Sequence, residues 1–434
     1  MELIMAKITV DFNKPVGKMK PMHGVGQPPI LGTSFSMFKY LTDAKIPYSR
    51  LHDVGGSYGG FRWVDIPNIF RDFDADENLP ESYDFTFTDM LITALVEAGV
   101  EPIFRLGVTI ENAASIKAYR IFPPKDPAKW ARICEHVIRH YTEGWADGFK
   151  YKIDYWEIWN EPDNSDVLIE NQMWRGTKEE YYELYDVTAK HLKSCFPHLK
   201  IGGYASCGFY AITDNYVEEA KSTPRREYFI TFFDEFLEYI KKSGAPFDFF
   251  SWHSYASVEE TMVHAEYARR RLDEAGFTST ETTCNEWNVE PRQKGTQKHA
   301  SLVMSMLLAM QNSPLDSAMF YDARCGIGNY SGMFNPMTYL PHPAYYAFVA
   351  FSRLYELKNQ VLIECDDKRL YSIAASDGKS CAFVIANPTD EDITLEITAD
   401  KTPVRTLIST EGKCDEEIEL PNILPKESFI TVIY

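Results

Sequence analysis

Short apolar runs rich in β-branched and aromatic residues alternate with amphipathic stretches over most of the chain, and the pair recurs eight times. Alternating strands and helices are typical of a parallel sheet with crossover helices. The predicted strands lie at 22–25, 47–52, 101–106, 153–159, 199–204, 247–253, 280–286 and 317–321. The predicted helices lie at 33–44, 86–98, 127–143, 177–194, 227–242, 258–275, 296–311 and 342–354. Eight such repeats predict an α/β fold in which a (β/α)8 TIM barrel occupies residues 14–356.

The pattern changes after Glu356, where short β-rich runs follow one another with Asp-Gly, Asn-Pro and Glu-Gly turn signals between them. These runs are VLIECDD, RLYSIAAS, SCAFVIANP, ITLEITAD, VRTLIST, EEIELPN and ESFITVIY. They predict a small C-terminal antiparallel β-sandwich domain over residues 357–434. The segment KITVDF near the N-terminus alternates with period two, so we expect a strand within residues 1–13 to join this sandwich.

Composition narrows the class of protein. The 434 residues are 45% hydrophobic and 25% charged, a balance that excludes disordered and disulfide-framework chains. The formal net charge of −19 and the absence of a basic run make nucleic acid and anionic membranes unexpected partners. The longest apolar run spans about ten residues at 301–310, well below the ~20 that cross a bilayer. We therefore expect a cytoplasmic protein, unless an export signal has been removed, and the sequence leaves open whether it forms a homo-oligomer.

The sequence predicts neither a metal nor a cofactor. The eight cysteines are spread singly, without a CxxC pair or a Cys/His cluster at zinc spacing. Asp72, Asp74 and Asp76 are spaced as in a calcium-binding loop, but Glu77 stands where such a loop needs glycine and Tyr83 where it needs a bidentate glutamate. Reduced thiols and a metal-free site are the expectation.

Two glutamates end predicted barrel strands. The run YWEIWNEPD ends in Asn160-Glu161-Pro162, and Pro162 stops the strand from pairing further. The run TETTCNEWN ends at Glu286, three barrel units later. Because the carboxyl ends of barrel strands meet at one face, both carboxylates are predicted at the barrel mouth. Cleavage of a glycosidic bond requires such a pair, although each glutamate could instead be a structural partner of an arginine.

The Asn-Glu-Pro motif on the fourth barrel strand favours the catalytic interpretation. Over nearly its whole length the chain resembles retaining glycoside hydrolases of clan A, and within them it resembles family 39, the β-xylosidase and α-L-iduronidase family. The resemblance implies that Glu161 is the acid/base and Glu286 the nucleophile. It also implies that Asn160 binds the 2-hydroxyl of the sugar.

The same resemblance extends to two further motifs. In YSRLHD, Arg50 and His52 share one strand face, and in SWHSYA, His253 and Tyr255 end the sixth strand. In the clan, an arginine on the second strand and a tyrosine after the sixth contact the nucleophile. Arg50 could instead form a core ion pair with Glu157, and His52 could bind a loop carbonyl.

The proposed roles set electrostatic expectations. Glu161 must hold a proton near neutral pH, and we expect a second carboxylate about 5 Å away to raise its pKa. Arg50 and the Tyr255 hydroxyl are expected to favour the charged form of Glu286.

Trp287 is expected to pack on the apolar face of a sugar ring.

The eighth strand departs from the family pattern. Family β-xylosidases carry a tryptophan and an acidic pair there, whereas this chain reads FYDARCGIGNYSGMFNP. Tyr321, Asp322 and Arg324 are therefore expected to form that wall of the sugar site. Arg324 suits a carboxylate, unless it forms a salt bridge with Asp322.

The leading hypothesis is a retaining, exo-acting glycoside hydrolase. Its expected substrate is a β-xyloside, from which it releases the terminal sugar of an oligosaccharide or simpler glycoside. The alternatives are the same fold acting on an α-L-arabinoside, a β-galactoside or a uronide, and a non-catalytic carbohydrate-binding barrel. A phosphate-binding metabolic barrel is disfavoured, because no glycine-rich loop follows the seventh strand.

Overall fold

Eight parallel strands close into a barrel in the computed structural model, which describes residues 5–32, 35–54, 64–109, 121–214, 223–326, 328 and 330–434. The barrel strands are β2 (Gly24–Gly26), β3 (Tyr48–Leu51), β4 (Glu101–Leu106), β5 (Tyr155–Ile158), β6 (Lys200–Ser206), β7 (Phe249–Ser254), β8 (Glu281–Trp287) and β9 (Ser317–Phe320). Each strand pairs in parallel with the next, and β2 pairs with β9 to close the ring. The predicted barrel is confirmed.

Helices connect the strands and cover the outside of the barrel. They are α1 (Phe38–Asp43), α2 (Ile66–Ile69), α3 (Thr86–Glu97), α4 (Pro127–Thr142), α5 (Lys178–Cys195), α6 (Tyr210–Asp214), α7 (Pro224–Ser243), α8 (Val258–Ala275), α9 (Gln297–Gln311) and α10 (Tyr345–Glu356). Capping boxes start α5 at Thr177 and α8 at Ser257. Left-handed glycines end α7 and α8 at Gly244 and Gly276. Among the described helices, none has the length and apolarity needed to span a bilayer.

Two predicted helices begin later than the sequence pattern indicates. Helix α1 starts at Phe38 rather than near residue 33, and α10 starts at Tyr345 rather than at His342. Residues 33 and 34 lie outside the described residues. Helix α10 is preceded by turns through Pro343, whose fixed φ and missing N–H suit a turn or a first helical position rather than a helix interior.

The C-terminal region forms one nine-stranded, mostly antiparallel sheet that also includes the N-terminal strand. Its strands are β1 (Met5–Lys18), β10 (Asn359–Cys365), β11 (Tyr371–Ser376), β12 (Cys381–Asn387), β13 (Ile393–Ala399), β14 (Arg405–Thr410), β15 (Lys413–Ile418), β16 (Ile423–Leu424) and β17 (Ser428–Ile433). Strand β1 pairs antiparallel with β10 and parallel with β13. The predicted fold class, a (β/α)8 barrel with a small C-terminal antiparallel β domain, is confirmed. The strands predicted as a β-sandwich form one hydrogen-bonded sheet, and the exact domain boundaries stay a prediction.

Strand β12 is buried on both faces, and this explains how the two parts of the chain pack. Val384 and Ala386 belong to the barrel core, whereas Phe383 and Ile385 belong to a second core enclosed by the sheet. Side chains alternate between the two faces of a strand, so a continuous apolar run serves both cores. The sheet therefore packs on helices α9 and α10.

A bidentate ion pair adds to this packing. Arg353 on α10 donates from Nη1 and Nη2 to the two carboxylate oxygens of Asp415 on β15, at 2.6 and 2.5 Å. Both side chains are at least three-quarters buried. By contrast, Arg405 and Glu417 pair within the sheet while half or more exposed.

We expect Arg353→Ala to lower the free energy of unfolding by about 1 kcal/mol, since a bidentate, mostly buried pair is lost. The matched change Arg405→Ala should cost less than about 0.5 kcal/mol, because its pair is solvated. Urea unfolding of both variants measures the difference. Equal costs would show that the Arg353–Asp415 pair does not stabilise the packing of the sheet on the barrel.

Candidate active site

A cavity of about 660 Å³ opens at the C-terminal mouth of the barrel. Glu161, which follows β5, and Glu286, which lies on β8, both line it. The other predicted site residues that line the cavity are His52, Asn160, Tyr255, Tyr321 and Arg324. Arg50, His253, Trp287 and Asp322 are predicted site residues that do not line it. The strand ends thus bring the two predicted carboxylates together.

Arg50 is the centre of a buried polar network beneath the cavity. Its Nε donates to Glu157 at 2.7 Å and its Nη1 donates to Glu286 at 2.6 Å. Its Nη2 donates to the side-chain oxygen Oδ1 of Asn160 at 2.5 Å. The side chain is 1% exposed. Arg50 therefore forms the core ion pair with Glu157 and also contacts Glu286, so both interpretations of this residue describe contacts that are present. Arg50 positions the site from below and does not face the substrate.

A bulge in β8 lets two consecutive residues reach this network. In the pairing of β7 with β8, Trp252 lies opposite Cys284 and His253 lies opposite Glu286, so Asn285 is the extra residue. The Asn285 amide donates to Glu157 at 2.5 Å, while Glu286 accepts from Arg50. Glu286 is thus aimed at the cavity by a local irregularity of the strand.

His253 lies between the two carboxylates. Its Nδ1 is 2.9 Å from Oε1 of Glu161 and 3.6 Å from Oε2 of Glu286. One ligand atom from each of the three residues lies within 4.8 Å of the other two. The predicted substrate contact of His253 is corrected, because the ring is buried under both carboxylates and can act only through them.

The pKa of Glu161 differs in direction from the sequence-based expectation. Burial raises it, but the hydrogen bond and charge of His253, together with the Asn164 amide, outweigh burial and hold the pKa of Glu161 below its usual value. For His253, burial lowers the pKa, but the charges of Glu286 and Glu161 outweigh it and raise the pKa overall. The expectation from the carboxylate pair alone was wrong, because it omitted the imidazole. The two opposite shifts favour the proton on the imidazole of His253 and the negative charge on Glu161.

Tyr255 completes the surroundings of Glu286. Its hydroxyl donates to Oε2 of Glu286 at 2.7 Å, on the opposite oxygen from Arg50. The ring also packs against Tyr330, with ring centres 4.6 Å apart, and both rings line the cavity. Each oxygen of the Glu286 carboxylate therefore accepts one hydrogen bond, and the two donors fix the orientation of this side chain.

A second series of hydrogen-bonded polar side chains borders the cavity, at the ends of β2, β3 and β9. Gln27 donates to the Tyr321 hydroxyl at 2.7 Å, which in turn donates to Asp53 at 3.0 Å. His52 follows, with Nε2 3.2 Å from Asp53. Burial and the charge of Arg105 hold the pKa of His52 well below its usual value, so its ring is neutral. Its Nδ1 has no hydrogen-bond partner among the described residues.

Trp287 does not lie at the cavity. The side chain is fully buried, and its ring packs 5.2 Å from Phe320 and 6.4 Å from Phe348 of α10. Successive strand residues point to opposite faces, so once Glu286 points inward Trp287 must point outward to the helices. The predicted sugar contact is corrected, and the ring is part of the barrel core.

The sequence of this chain matches the pattern of the family described as "Glycosyl hydrolases family 39" over residues 42–279, more than half of the chain. The chain belongs to that family. It is therefore a glycoside hydrolase, as the carboxylate pair predicts.

Relatives of the family 39 enzyme agree with this assignment. A protein described as a beta-xylosidase, from Caldicellulosiruptor saccharolyticus, is 25% identical over 88% of this chain and 78% of its own. The structure of a GH39 beta-xylosidase from Caulobacter crescentus matches with a TM-score of 0.67 and 19% identity, covering 98% of this chain and 99% of that one. A glucosidase structure from Croceicoccus marinus matches with a TM-score of 0.77 and 21% identity, covering 99% and 98%. At these identities the two structures show the shared fold.

Asp322 holds Arg324 at the edge of the site in the family 39 enzyme. Asp322 is fully buried, and its carboxylate accepts from the Arg324 backbone N–H at 2.9 Å and from Nη2 at 3.2 Å. Of the two interpretations of Arg324, the salt bridge with Asp322 is the one present. The predicted contact of Asp322 with the sugar is corrected, because this carboxylate lies behind the arginine.

Two residues near Glu161 in the family 39 enzyme were not predicted, Asn164, which lines the cavity, and Asp163, which is buried beside it. Asp163 and Asn164 follow Glu161 in the same loop, and Asn164 donates to Oε2 of Glu161 at 3.0 Å. Asp163 is buried and accepts from Ser206 at 2.7 Å. Burial raises the pKa of Asp163 to about 7. The short run Glu-Pro-Asp-Asn offered a signal, since a loop that positions a catalytic carboxylate needs polar residues to hold its own backbone.

Two groups in the described part of the chain have a geometry that would admit a metal ion. One is Glu161, His253 and Glu286 themselves. The other is Glu135 on α4 with His191 and Cys195 on α5, half-buried on the outside of the barrel. The sequence spacing did not reveal the second group, because its members come from two helices.

Asp322 gives a pH prediction for the stability of the enzyme. Burial raises the pKa of Asp322 to about 7, against the opposing charge of Arg324. Between the unfolded value of about 4 and about pH 7 the folded state therefore binds the additional proton, and the free energy of unfolding falls as pH rises through this window. We expect Asp322→Asn to remove this contribution, which amounts to at most about 4 kcal/mol.

Urea unfolding of wild type and Asp322→Asn from pH 4 to pH 7 measures the effect. The stability of the variant relative to wild type should increase with pH. The exposed change Asp390→Asn is the control and should leave the slope unchanged. Parallel curves for wild type and Asp322→Asn would contradict the assigned proton.

Proposed function

We propose that the protein is a retaining, exo-acting β-xylosidase that works by double displacement. The observation that carries this proposal is the close approach of Glu161 and Glu286, which have oxygens within 4.8 Å of each other around His253. Retaining glycosidases place their two carboxyl groups about 5–5.5 Å apart, whereas inverting enzymes need room for a water between them. Direct attack on the sugar therefore suits this geometry.

In the first step a carboxylate oxygen of Glu286 attacks the anomeric carbon. The bond from that carbon to the leaving oxygen breaks, and its electron pair goes to the leaving oxygen. Glu161 supplies the proton to this oxygen, and the proton comes from the Glu161–His253 pair. Arg50 and Tyr255 hold the attacking carboxylate in place. The product is a xylosyl ester of Glu286.

In the second step water attacks the anomeric carbon of this ester. Glu161 accepts the proton from water, and the electron pair of the ester bond returns to Glu286. Two inversions give net retention of configuration. Because Glu286 carries no charge while esterified, it no longer raises the pKa of His253, so the pair that gave its proton to the leaving group stays unprotonated and is available as the base toward water.

Several contacts support recognition of one neutral sugar. The side-chain oxygen Oδ1 of Asn160 accepts from Arg50, so the side-chain NH2 group of Asn160 is left to donate to a sugar hydroxyl. The His52 side chain also lines the cavity and is a further contact for the sugar. The buried Asp53 and Tyr321 bound the cavity on this side, which suits a terminal sugar. The resemblance to proteins described as beta-xylosidases supports a xyloside.

Removal of the nucleophile is the first test. Glu286→Ala should lower kcat on 4-nitrophenyl β-xyloside by at least about 10³-fold, since no group remains to attack the anomeric carbon. Added azide should restore part of the rate and give the α-xylosyl azide. A β-xylosyl azide, or an Ala variant of undiminished rate, would contradict the role of Glu286.

Removal of the acid is the second test. Glu161→Ala should slow an alkyl xyloside, which needs a proton on its leaving group, far more than 2,4-dinitrophenyl β-xyloside, which does not. The kcat/KM values of the two substrates in wild type and variant give the comparison. If both substrates slow equally, Glu161 is not the proton donor in the first step.

Arg324 gives the test of sugar class. Because Arg324 is held by Asp322, we expect wild type to prefer a β-xyloside to the matched β-glucuronide, and Arg324→Ala to change this ratio of kcat/KM less than about threefold. A wild-type preference for the uronide that Arg324→Ala abolishes would place a carboxylate on Arg324 and reject the xyloside.

A further inference from the structure

The wall of the cavity beside Glu161 is basic, although the chain has a formal net charge of −19. Arg225 and Arg226 both line the cavity there. They lie in the first turn of α7, whose start is fixed by Pro224 and by the Thr223 side chain, which accepts from the Arg226 backbone N–H. Two cations are therefore presented on the side of the cavity away from Asp53 and Tyr321.

Arg225 is positioned by the loop that carries the proposed acid. Its Nε donates to the Asn164 carbonyl oxygen at 2.6 Å, and the Asn164 amide donates to Glu161. The guanidinium also packs over the ring of Phe229, 5.6 Å from its centre. It is close enough that its charge contributes to the low pKa of Glu161. In the proposed mechanism, in which Glu161 protonates the leaving group, Arg225 thus lies on the leaving-group side of the cavity.

The charge of Arg225 is not balanced by a neighbouring carboxylate. Within the part of the chain that the structure describes, no acidic side chain forms an ion pair with Arg225, whereas Arg324 across the cavity is paired with Asp322. Nε is already bonded to Asn164, no hydrogen bond from either Nη atom to a described residue is present, and the Arg225 side chain lines the cavity. A planar guanidinium with free Nη groups matches a carboxylate.

We propose that Arg225 forms a leaving-group subsite for a carboxylate, so that the preferred substrates are xylosides of an acidic aglycone. This inference rests on the proposed function and specifies its substrate class. The aglycone would lie between Arg225 and the rings of Phe229 and Tyr210, which also line this side. The aglycone is a uronic acid residue or an aromatic acid, since both combine a ring face with a carboxylate.

The test compares 4-carboxyphenyl β-xyloside with 4-carbamoylphenyl β-xyloside, which have the same shape and differ in charge. The readout is the ratio of their kcat/KM values. We expect Arg225→Gln to lower this ratio about five- to tenfold relative to wild type, and Arg225→Glu to lower it further. Added salt should lower the wild-type ratio, because this guanidinium is exposed. Arg270→Gln, an exposed arginine on α8, is the control and should leave the ratio unchanged.

The outcomes separate this inference from the proposed function. Hydrolysis of the carbamoyl xyloside by wild type tests the β-xylosidase activity alone. If wild type and both Arg225 variants show the same ratio, the carboxylate subsite is rejected while that activity stands. Using a ratio keeps the test valid if either substitution also slows the enzyme, and thermal melts identify a variant that fails to fold, in which case the other decides.

The source of the carboxylate is distinguished by inhibition. Glucuronate and 4-hydroxybenzoate are added separately to wild type hydrolysing the carbamoyl xyloside, and each is repeated with Arg225→Gln. Weaker inhibition of the variant by glucuronate assigns the subsite to a sugar acid, and weaker inhibition by 4-hydroxybenzoate assigns it to an aromatic acid. If neither inhibition constant depends on Arg225, the subsite is rejected.

Discussion

The buried guanidinium of Arg50 is the constraint on which the rest of the site depends. A cation removed from water must be paired and hydrogen-bonded, or its desolvation is not offset. Arg50 meets this need with Glu157, Asn160 and Glu286, which come from β5, the loop after it and β8. Because the partners must converge on one planar group, the barrel strands are held in the register that places Glu286 at the cavity. The same arginine therefore forms the core ion pair with Glu157 and positions Glu286 at the cavity.

The imidazole of His253 gives the two carboxylates different hydrogen-bond partners. In a site with two carboxylates and no imidazole, the charge of one would raise the pKa of the other, whereas here the pKa of Glu161 is lowered. Arg50 and Tyr255 both donate to Glu286, whereas Glu161 is hydrogen-bonded to His253. In the proposed mechanism the acid is accordingly the Glu161–His253 pair, with one proton that either member can hold. In that mechanism the proton lies beside the leaving oxygen, and the His253 ring stands between Glu286 and Glu161.

Much of the fold and part of the site could be predicted from the sequence, for reasons that differ from residue to residue. Eight strand–helix units were readable because the period of the apolar pattern changes at each boundary. Glu161 was readable because Pro162 marks the strand end. Trp287 was misassigned because the bulge at Asn285 and the alternation of faces decide which neighbour points inward. Arg225 was missed because it comes from a helix start far along the chain, where nothing local indicates a cavity.

The measurement that tests this account most directly is the identity of the residue that a mechanism-based reagent labels. Wild-type enzyme is incubated with 2,4-dinitrophenyl 2-deoxy-2-fluoro-β-xyloside, and the protein mass and the labelled peptide are determined by mass spectrometry. The account predicts one fluoroxylosyl group per chain, esterified to Glu286, because Arg50 aims that carboxylate at the anomeric carbon. A label on Glu161, or turnover without any covalent adduct, would contradict it.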